Sequence, residues 1–290
     1  MHRWTLELPS CAICMTPPQD DVLTIETLPV EACDDGTVVA LVTINRPNKL
    51  NALNADVTSA MKAMVAWAES EDAVRCIVVT GAQPLIPEEG KRAKPNAFVA
   101  GADITEFLGA GSEEITVKFT DNAIEALWNM SKPTIAMVDG FALGGGLEVA
   151  CSCDIRIASS RSKFGTPEIN LGLIPGYGGT QRLVSLLGYG KALEMVYTGE
   201  MIAADEAHRI GLVNHVVEAD ELKNCLNVKD SNDFITHFDV GTPGDGETEI
   251  INPKTKQVTG RNIHVYAITK GGERVPIAVK TQRSKQGESG

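Results

Sequence analysis

Short apolar runs alternate along the chain with segments of helical period. Val38 to Asn45 (VVALVTIN) is rich in β-branched residues and is ended by Arg46-Pro47, so it is read as a strand. Asn54 follows as a helix cap. Val57, Met61, Met64, Val65 and Ala68 then recur at helical spacing, which predicts an amphipathic helix over 55–69. Cys76 to Thr80 (CIVVT) is a buried strand closed by Gly81. Pro84, Pro87, Gly90 and Pro95 make Ala82 to Asn96 a long surface loop, on which Lys91, Arg92 and Lys94 are read as solvated charges.

Phe98 to Asp103 reads as a strand running into a tight turn, Asp121 to Met130 as a helix, and Thr134 to Asp139 as a strand. Leu143 to Cys151 begins with three glycines and becomes helix-like. Asp154 to Ala158 is again a strand. Helices are expected at Thr180 to Leu187, capped by Thr180, at Lys191 to Tyr197 and at Ala203 to Ile210. Leu212 to Val217 is the last strand. The repeated alternation predicts an α/β layered core, and no fixed-period repeat is visible.

Composition narrows the function classes. The chain of 290 residues is 43% hydrophobic and 22% charged, enough for a sizeable core. Its net charge of −12 opposes non-specific binding to nucleic acid or anionic membrane. No apolar run is long enough to cross a bilayer. Seven cysteines, an odd number in a chain this long, point to reduced thiols and a cytoplasmic setting. Cys11 and Cys14 form a lone CxxC, which is weak for zinc. Cys151 and Cys153 are read as core residues. Residues 1–21 are expected to be a flexible extension without an export signal, and 22–225 the core. After Cys225 the composition changes. Residues 226–290 hold nine Lys+Arg against eight Asp+Glu and are interrupted by eight glycines and three prolines. Strand-like fragments occur there at Asn262–Thr269 and Arg274–Lys280.

Two glycine turns and two glutamates are the candidate chemistry. Gly144, Gly145 and Gly146 precede Leu147-Glu148. Glycines at a strand-to-helix turn let a ligand approach backbone N–H groups, and the helix start favours an oxyanion. The triplet has neither the Lys-Ser/Thr of a P-loop nor dinucleotide spacing, and tight packing explains it equally. Ala100-Gly101-Ala102-Asp103 offers a second turn, and two converging donors would make an oxyanion hole. Glu148 lies in an apolar setting (GGGLEVAC), and Glu168 sits between Pro167 and Ile169. Two carboxylates in such surroundings suit acid–base partnership. A buried salt bridge to Arg156 and a helix-cap interaction are the structural alternatives. His2, His208, His215, His237 and His264 form no ligand-spaced cluster. No serine or cysteine shows a nucleophile pattern.

Together these segments resemble the crotonase, or enoyl-CoA hydratase/isomerase, family. The resemblance rests on Asn45-Arg46-Pro47 with Asn51-Ala52-Leu53-Asn54, on Ala100 to Asp103, and on Asp139 to Asp154 (DGFALGGGLEVACSCD). Phe164 to Leu183 (FGTPEINLGLIPGYGGTQRL) and Met201 to Val217 complete it. It covers about Val22 to Leu222, with the motifs in the family's order. It implies a spiral of ββα units. It also implies that the Ala102 and Gly145 amides bind a thioester oxygen. Glu148 would activate the water that adds at Cβ, Glu168 would exchange the proton at Cα, and Gly176 would border that water. Lys49 and Leu50, with Ala100, Gly101, Asp103 and Ile104, would line the coenzyme A groove. Thr105 stands where a lysine is often found. Coenzyme A is part of the substrate, and neither a separate cofactor nor a metal is expected.

Family members that only move a double bond generally vary at the Glu148 position. Keeping both glutamates therefore favours hydration of a short-chain 2-enoyl-CoA. A delta-isomerase and a non-catalytic binding protein of the same fold are the alternatives. A homotrimer or dimer of trimers is the family expectation. Residues 226–290 do not resemble the family's usual terminal helices.

Overall fold

The computed structural model describes residues 16–29, 36–87, 92–107 and 122–222, with Gly90, Gly109, Gly111, Glu113 and Phe119 between them; later it describes the strands at 237–240, 248–251, 258–268 and 274–283. The Cys11/Cys14 pair and Lys91 lie outside the described residues. In chain order the strands up to residue 222 are β1 (Leu23–Pro29), β2 (Val38–Ile44), β3 (Val74–Gly81), β4 (Ala97–Val99), β5 (Thr134–Val138), β6 (Phe141–Leu143), β7 (Ile155–Ser159), β8 (Lys163–Gly165), β9 (Ile202–Ala203) and β10 (His215–Val217). The helices are α1 (Ala55–Ser70), α2 (Ala123–Trp128), α3 (Gly145–Ser152), α4 (Gly179–Leu187), α5 (Tyr189–Thr198) and α6 (Ala204–Arg209).

Two sheets share these strands. The larger runs β1-β2-β3-β5-β7-β10 and the smaller β4-β6-β8-β9. Each turn of the chain gives one strand to each sheet and then a helix: β3 and β4, then β5 and β6 with α3, then β7 and β8 with α4. That is the spiral of ββα units. Its neighbours run parallel from β2 to β10 in the large sheet and from β4 to β8 in the small one.

Parallel strands must be covered on both faces, and the pattern of this chain provides for it. On β3, Ile77 and Val79 enter the main core, whereas Cys76 and Val78 enter a second cluster with Ile135, Met137, Ile155, Ile157 and Leu222. α1 seats Val57, Met61, Met64 and Ala68 in the main core, and Asn54 caps it by accepting from Val57 N at 3.1 Å. Cys151 and Cys153 are buried, as read from the sequence.

Several expectations need correction. Thr180 does not cap α4: the cap is Gly178 in the left-handed region, and Thr180 lies inside the helix. The positive φ of 93° suits glycine there. β1, β6, β8 and β9 are too short or too mixed to stand out by alternation, so the sequence pattern does not mark them. Beyond residue 222, β11 (His237–Val240), β12 (Thr248–Ile251), β13 (Val258–Ile268) and β14 (Arg274–Arg283) form an antiparallel sheet of their own. β13 pairs with β14 along one edge and with β11 and β12 along the other. Its last two strands coincide with the fragments read at Asn262–Thr269 and Arg274–Lys280.

Two buried charged residues brace the body. Arg156 donates to the carbonyls of Leu212 at 2.7 Å and Cys153 at 2.8 Å, tying the end of α3 to the approach to β10. Asp139 closes the β5–β6 turn. It accepts from Arg161 Nε at 2.7 Å, Ser159 at 2.8 Å, and Gln83 and Asn96 at 3.0 Å. Burial opposes its charge, but Arg161, Gln83 and Ser159 together hold the carboxyl below its usual range.

Candidate active site

The first glycine turn is built by pairing with the loop after β2. Ala100 N donates to Leu50 O at 3.0 Å, Leu53 N to Gly101 O at 2.9 Å, and Asp103 N to Leu53 O at 2.7 Å. This parallel bridge turns the Ala102 N–H away from Leu53, and no described residue accepts from it. The partner loop is itself unusual, because Leu50 and Asn51 hold φ of 51° and 57°. Asn51 compensates: buried, it donates to Ala82 O at 2.9 Å and Ala97 O at 2.8 Å and accepts from Arg46 N at 3.0 Å. Arg46 then bridges the two segments, donating to Ala52 O at 2.6 Å and Asp103 Oδ2 at 3.0 Å. The Thr105 hydroxyl and, after it, Arg46 hold the Asp103 carboxyl below its usual range. Lys49 and Ile104 are exposed at the two rims of this seam, and Gly101 has φ of 108°. Lys94, exposed, donates to Asn48 O.

The second turn meets the first. Gly144 has φ of 52° and caps α3, which begins at Gly145. A Cβ on Gly145 would stand 3.5 Å from Ala102 N and 3.4 Å from Leu53 Cδ1 and Tyr177 Cδ2. The two amides are therefore neighbours, and no described residue accepts from the Gly145 N–H either. A Cβ on Gly146 would collide with Val99 O, so this glycine seats the helix directly on the end of β4.

Glu148 lies one turn into α3, on the same side as Gly145. It is 1% exposed, and its Oε1 accepts from Tyr177 N and Gly179 N, both at 2.7 Å. Burial pushes its carboxyl up to about 7, and the charge of Glu168 adds to the rise. The Gly179 and Tyr177 amides and Arg182 oppose it. Glu168 sits in the 3-10 turn Pro167–Leu171. Its Oε1 would be 2.8 Å from a Cβ on Gly144, and its Oε2 is buried without a partner. Burial raises this carboxyl too. Gly176 packs under Phe119, whose ring carbons lie 2.6–3.1 Å from the position of a Cβ there. The Phe119 and Tyr177 ring centroids are 4.8 Å apart.

The structure thus brings Ala102, Gly145, Glu148, Glu168 and Gly176 to one place, with Lys49, Leu50, Ala100, Gly101, Asp103 and Ile104 along the adjoining seam. The salt-bridge alternative fails for Glu148, because Arg156 turns its Nε and Nη1 to the carbonyls of Leu212, Ala150 and Cys153 and Glu148 Oε1 takes backbone amides instead. Sequence reasoning missed the Tyr177 and Gly179 amides, Arg182, the Arg46–Asp103 pair and Phe119. Only the PGYGG glycines hinted at the first of these. A separate cavity of about 310 Å³ is lined by Leu41, Met137, Asp139 and Leu222, and none of the expected acid–base or oxyanion residues reaches it. Among the described residues no group of three or more His, Cys, Asp or Glu could hold a metal ion, and no helix is long and apolar enough to cross a membrane.

Known proteins resemble this chain in both sequence and fold. The family described as enoyl-CoA hydratase/isomerase matches residues 34–227. The chain is 49% identical over 189 residues to a short-chain-enoyl-CoA hydratase of Clostridium acetobutylicum, covering 64% of this chain and 68% of that one. It is 44% identical over 186 residues to a crotonyl-CoA hydratase of Syntrophomonas wolfei, covering 63% and 67%. The crystal structure of an enoyl-CoA hydratase from Bacillus anthracis superposes with a TM-score of 0.59 at 32% identity, over 70% of this chain and 72% of that one. Pseudomonas aeruginosa DspI superposes with a TM-score of 0.63 at 33% identity, over 74% and 80%. Matching motifs, shared fold and this level of identity lead to one conclusion: the chain belongs to the enoyl-CoA hydratase/isomerase family, with the crotonase fold.

Proposed function

We propose that this protein is an enoyl-CoA hydratase that catalyses the reversible syn addition of water to a short-chain 2-enoyl-CoA, giving the 3-hydroxyacyl-CoA. The observation that carries the reading is the pair of carboxylates, buried Glu148 and half-buried Glu168 with its Oε2 shielded from solvent, beside two neighbouring amides for which no described residue is an acceptor.

Each group has one task. The Ala102 and Gly145 amides receive the thioester oxygen as negative charge develops on it, a device typically worth about 3 kcal/mol per donor. Glu148, as carboxylate, takes a proton from the water whose oxygen bonds to Cβ. The electrons of the double bond move onto the thioester oxygen. Glu168, as carboxylic acid, gives its proton to Cα as that enolate collapses. The pair works with one proton between them. Burial raises both carboxyls, Glu148 to about 7; the two amide donors oppose that rise on Glu148, while the bare Oε2 of Glu168 leaves room for the proton there. No cofactor enters these steps, and coenzyme A is carried by the substrate along the Lys49–Leu50 and Ala100–Ile104 seam.

A delta-isomerase would need only one acid–base group at this site. The tight hold on Glu148 therefore favours hydration. The relatives' names place the reaction in short-chain acyl-CoA metabolism, including fatty acid β-oxidation. Exposed Leu171, Leu173 and Ile174, just after Glu168, offer an apolar surface that a second copy would cover in a homotrimer or dimer of trimers. The buried free thiols Cys76, Cys151 and Cys153 suit a cytoplasmic protein.

The test is incubation of the full chain with crotonyl-CoA, following loss of the conjugated enoyl-thioester absorbance. Formation of 3-hydroxybutyryl-CoA supports the assignment. Conversion of a 3-enoyl-CoA to the 2-enoyl-CoA faster than hydration overturns it in favour of the isomerase.

A further inference from the structure

Arg182 is the fourth residue of α4 and only 5% exposed. Its backbone N donates to Gly178 O at 3.0 Å, and its Nη1 reaches back to donate to Tyr177 O. Its Nη2 donates to Glu125 Oε2 on α2 at 2.8 Å. The guanidinium carbon stands 4.9 Å over the Trp128 ring, and Nε is buried without a partner. A Cβ on Gly178 would run into the same Nη1.

The carbonyl that Arg182 grips lies between the two amides, Tyr177 N and Gly179 N, that hold Glu148. The Tyr177–Gly178 peptide is the link between the two donors, so holding its carbonyl fixes how Tyr177 N and Gly179 N converge on the carboxylate. The charge of Arg182 is also more than packing needs. An apolar side chain would cover Trp128 without the cost of burying a cation, and the ion partner Glu125 is 54% exposed.

We propose that Arg182 is a positioning residue that locks the Tyr177–Gly179 turn onto Glu148 and sets a buried positive charge behind that carboxylate, keeping it ionised as the base for water. This rests on the reading of Glu148 as that base.

The other groups facing Glu148 do not replace this charge. Glu168 is acidic. Tyr177, raised to about 12 first by burial, and Cys151, raised to about 11 by burial, are neutral at working pH. Glu125 on α2 is acidic. β4, β5 and β6 carry no ionisable residue. Arg182 is a cation that acts to lower the Glu148 carboxyl.

The experiment is kcat/KM for crotonyl-CoA against pH with the full chain, for wild type, Arg182→Gln, Arg182→Lys and Glu125→Gln, each checked by thermal unfolding. Arg182→Gln should move the acid limb up by about one pH unit. Activity should then fall at least about tenfold at pH 6 and less at pH 9. Arg182→Lys keeps the charge and should hold the limb nearer wild type. Glu125→Gln removes the neutralising partner and should move the limb down by roughly a few tenths of a unit. A uniform fall in Arg182→Gln with the limb unmoved, or a wild-type profile, overturns the proposal. Should Arg182→Gln not fold, an unmoved limb in Glu125→Gln overturns it instead. Glu148→Gln separates the two readings. If it keeps the acid limb and the turnover, the role of Glu148 fails; if it is inactive while Arg182→Gln leaves the limb in place, only the role of Arg182 fails.

Discussion

Glu168 lies directly against Gly144, with Oε1 only 2.8 Å from where a Cβ on that glycine would stand. The proposed acid and the proposed oxyanion turn are thus in contact, and the glycine has two reasons to be there. Its φ of 52° disfavours a side chain, and the carboxylate occupies the space one would take. Gly144→Ala should lower hydration by more than about tenfold by displacing Glu168, with a stability loss of about 1–2 kcal/mol from the backbone alone. Turnover of crotonyl-CoA and the thermal midpoint are the readouts. An active, stable alanine variant would show that Glu168 is free to move away without consequence.

Both glutamates are expected to be indispensable. Glu148→Gln and Glu168→Gln each keep the shape of the side chain and lose the proton chemistry, so each should reduce kcat by about 10²- to 10⁴-fold. Near-normal turnover in either variant would remove that residue from the mechanism.

The Glu148 carboxyl also has a signature in stability. It is raised from 4.5 to about 7, chiefly by burial, so the folded chain binds more protons than the unfolded one between those values. Its contribution is fully present below pH 4.5 and is lost as pH rises through 7, with a size on the order of 3 kcal/mol. Glu148→Gln should therefore melt at a higher temperature than wild type at pH 8, and the gap should close toward pH 4.5. An equal midpoint at pH 8 would mean the carboxylate is comfortably solvated in the folded state.

Arg46 couples the loop after β2 to the first glycine turn through Ala52 O and Asp103. Arg46→Met preserves the apolar stem and removes both links. Its expected effect is a fall in kcat/KM of about tenfold, with a midpoint lowered by a few degrees, because a loosened Ala102 amide is no longer preorganised. If kcat/KM is unchanged while the midpoint falls, Arg46 serves only the fold.

Much of the body was legible beforehand because its signals are local. The apolar run of β3, the period of α1 and the Asn54 cap each follow from residues within one element. β6 and β8, with three residues each, offer too few positions for alternation to register, and only the pairing of β4, β6 and β8 across the spiral reveals them. The Gly178 cap was missed for a related reason. The Thr180 hydroxyl is the stronger sequence signal, yet the collision awaiting a side chain at Gly178 is set by Arg182 folding back.

The sequence by itself determined the family motifs, the glycines that permit close approach and the identities of the two carboxylates, since each is written in residue type and spacing. Tertiary structure alone decided that the amides of Ala102 and Gly145 are neighbours. It also decided that Glu148 takes its donors from Tyr177 and Gly179 rather than from Arg156, and that Arg182 folds back to donate to the Tyr177 carbonyl between them. The physical reason is that every residue but proline carries the same backbone N–H, so residue type does not mark which amide will point into a site. Packing chooses among them, through contacts between segments far apart in the chain.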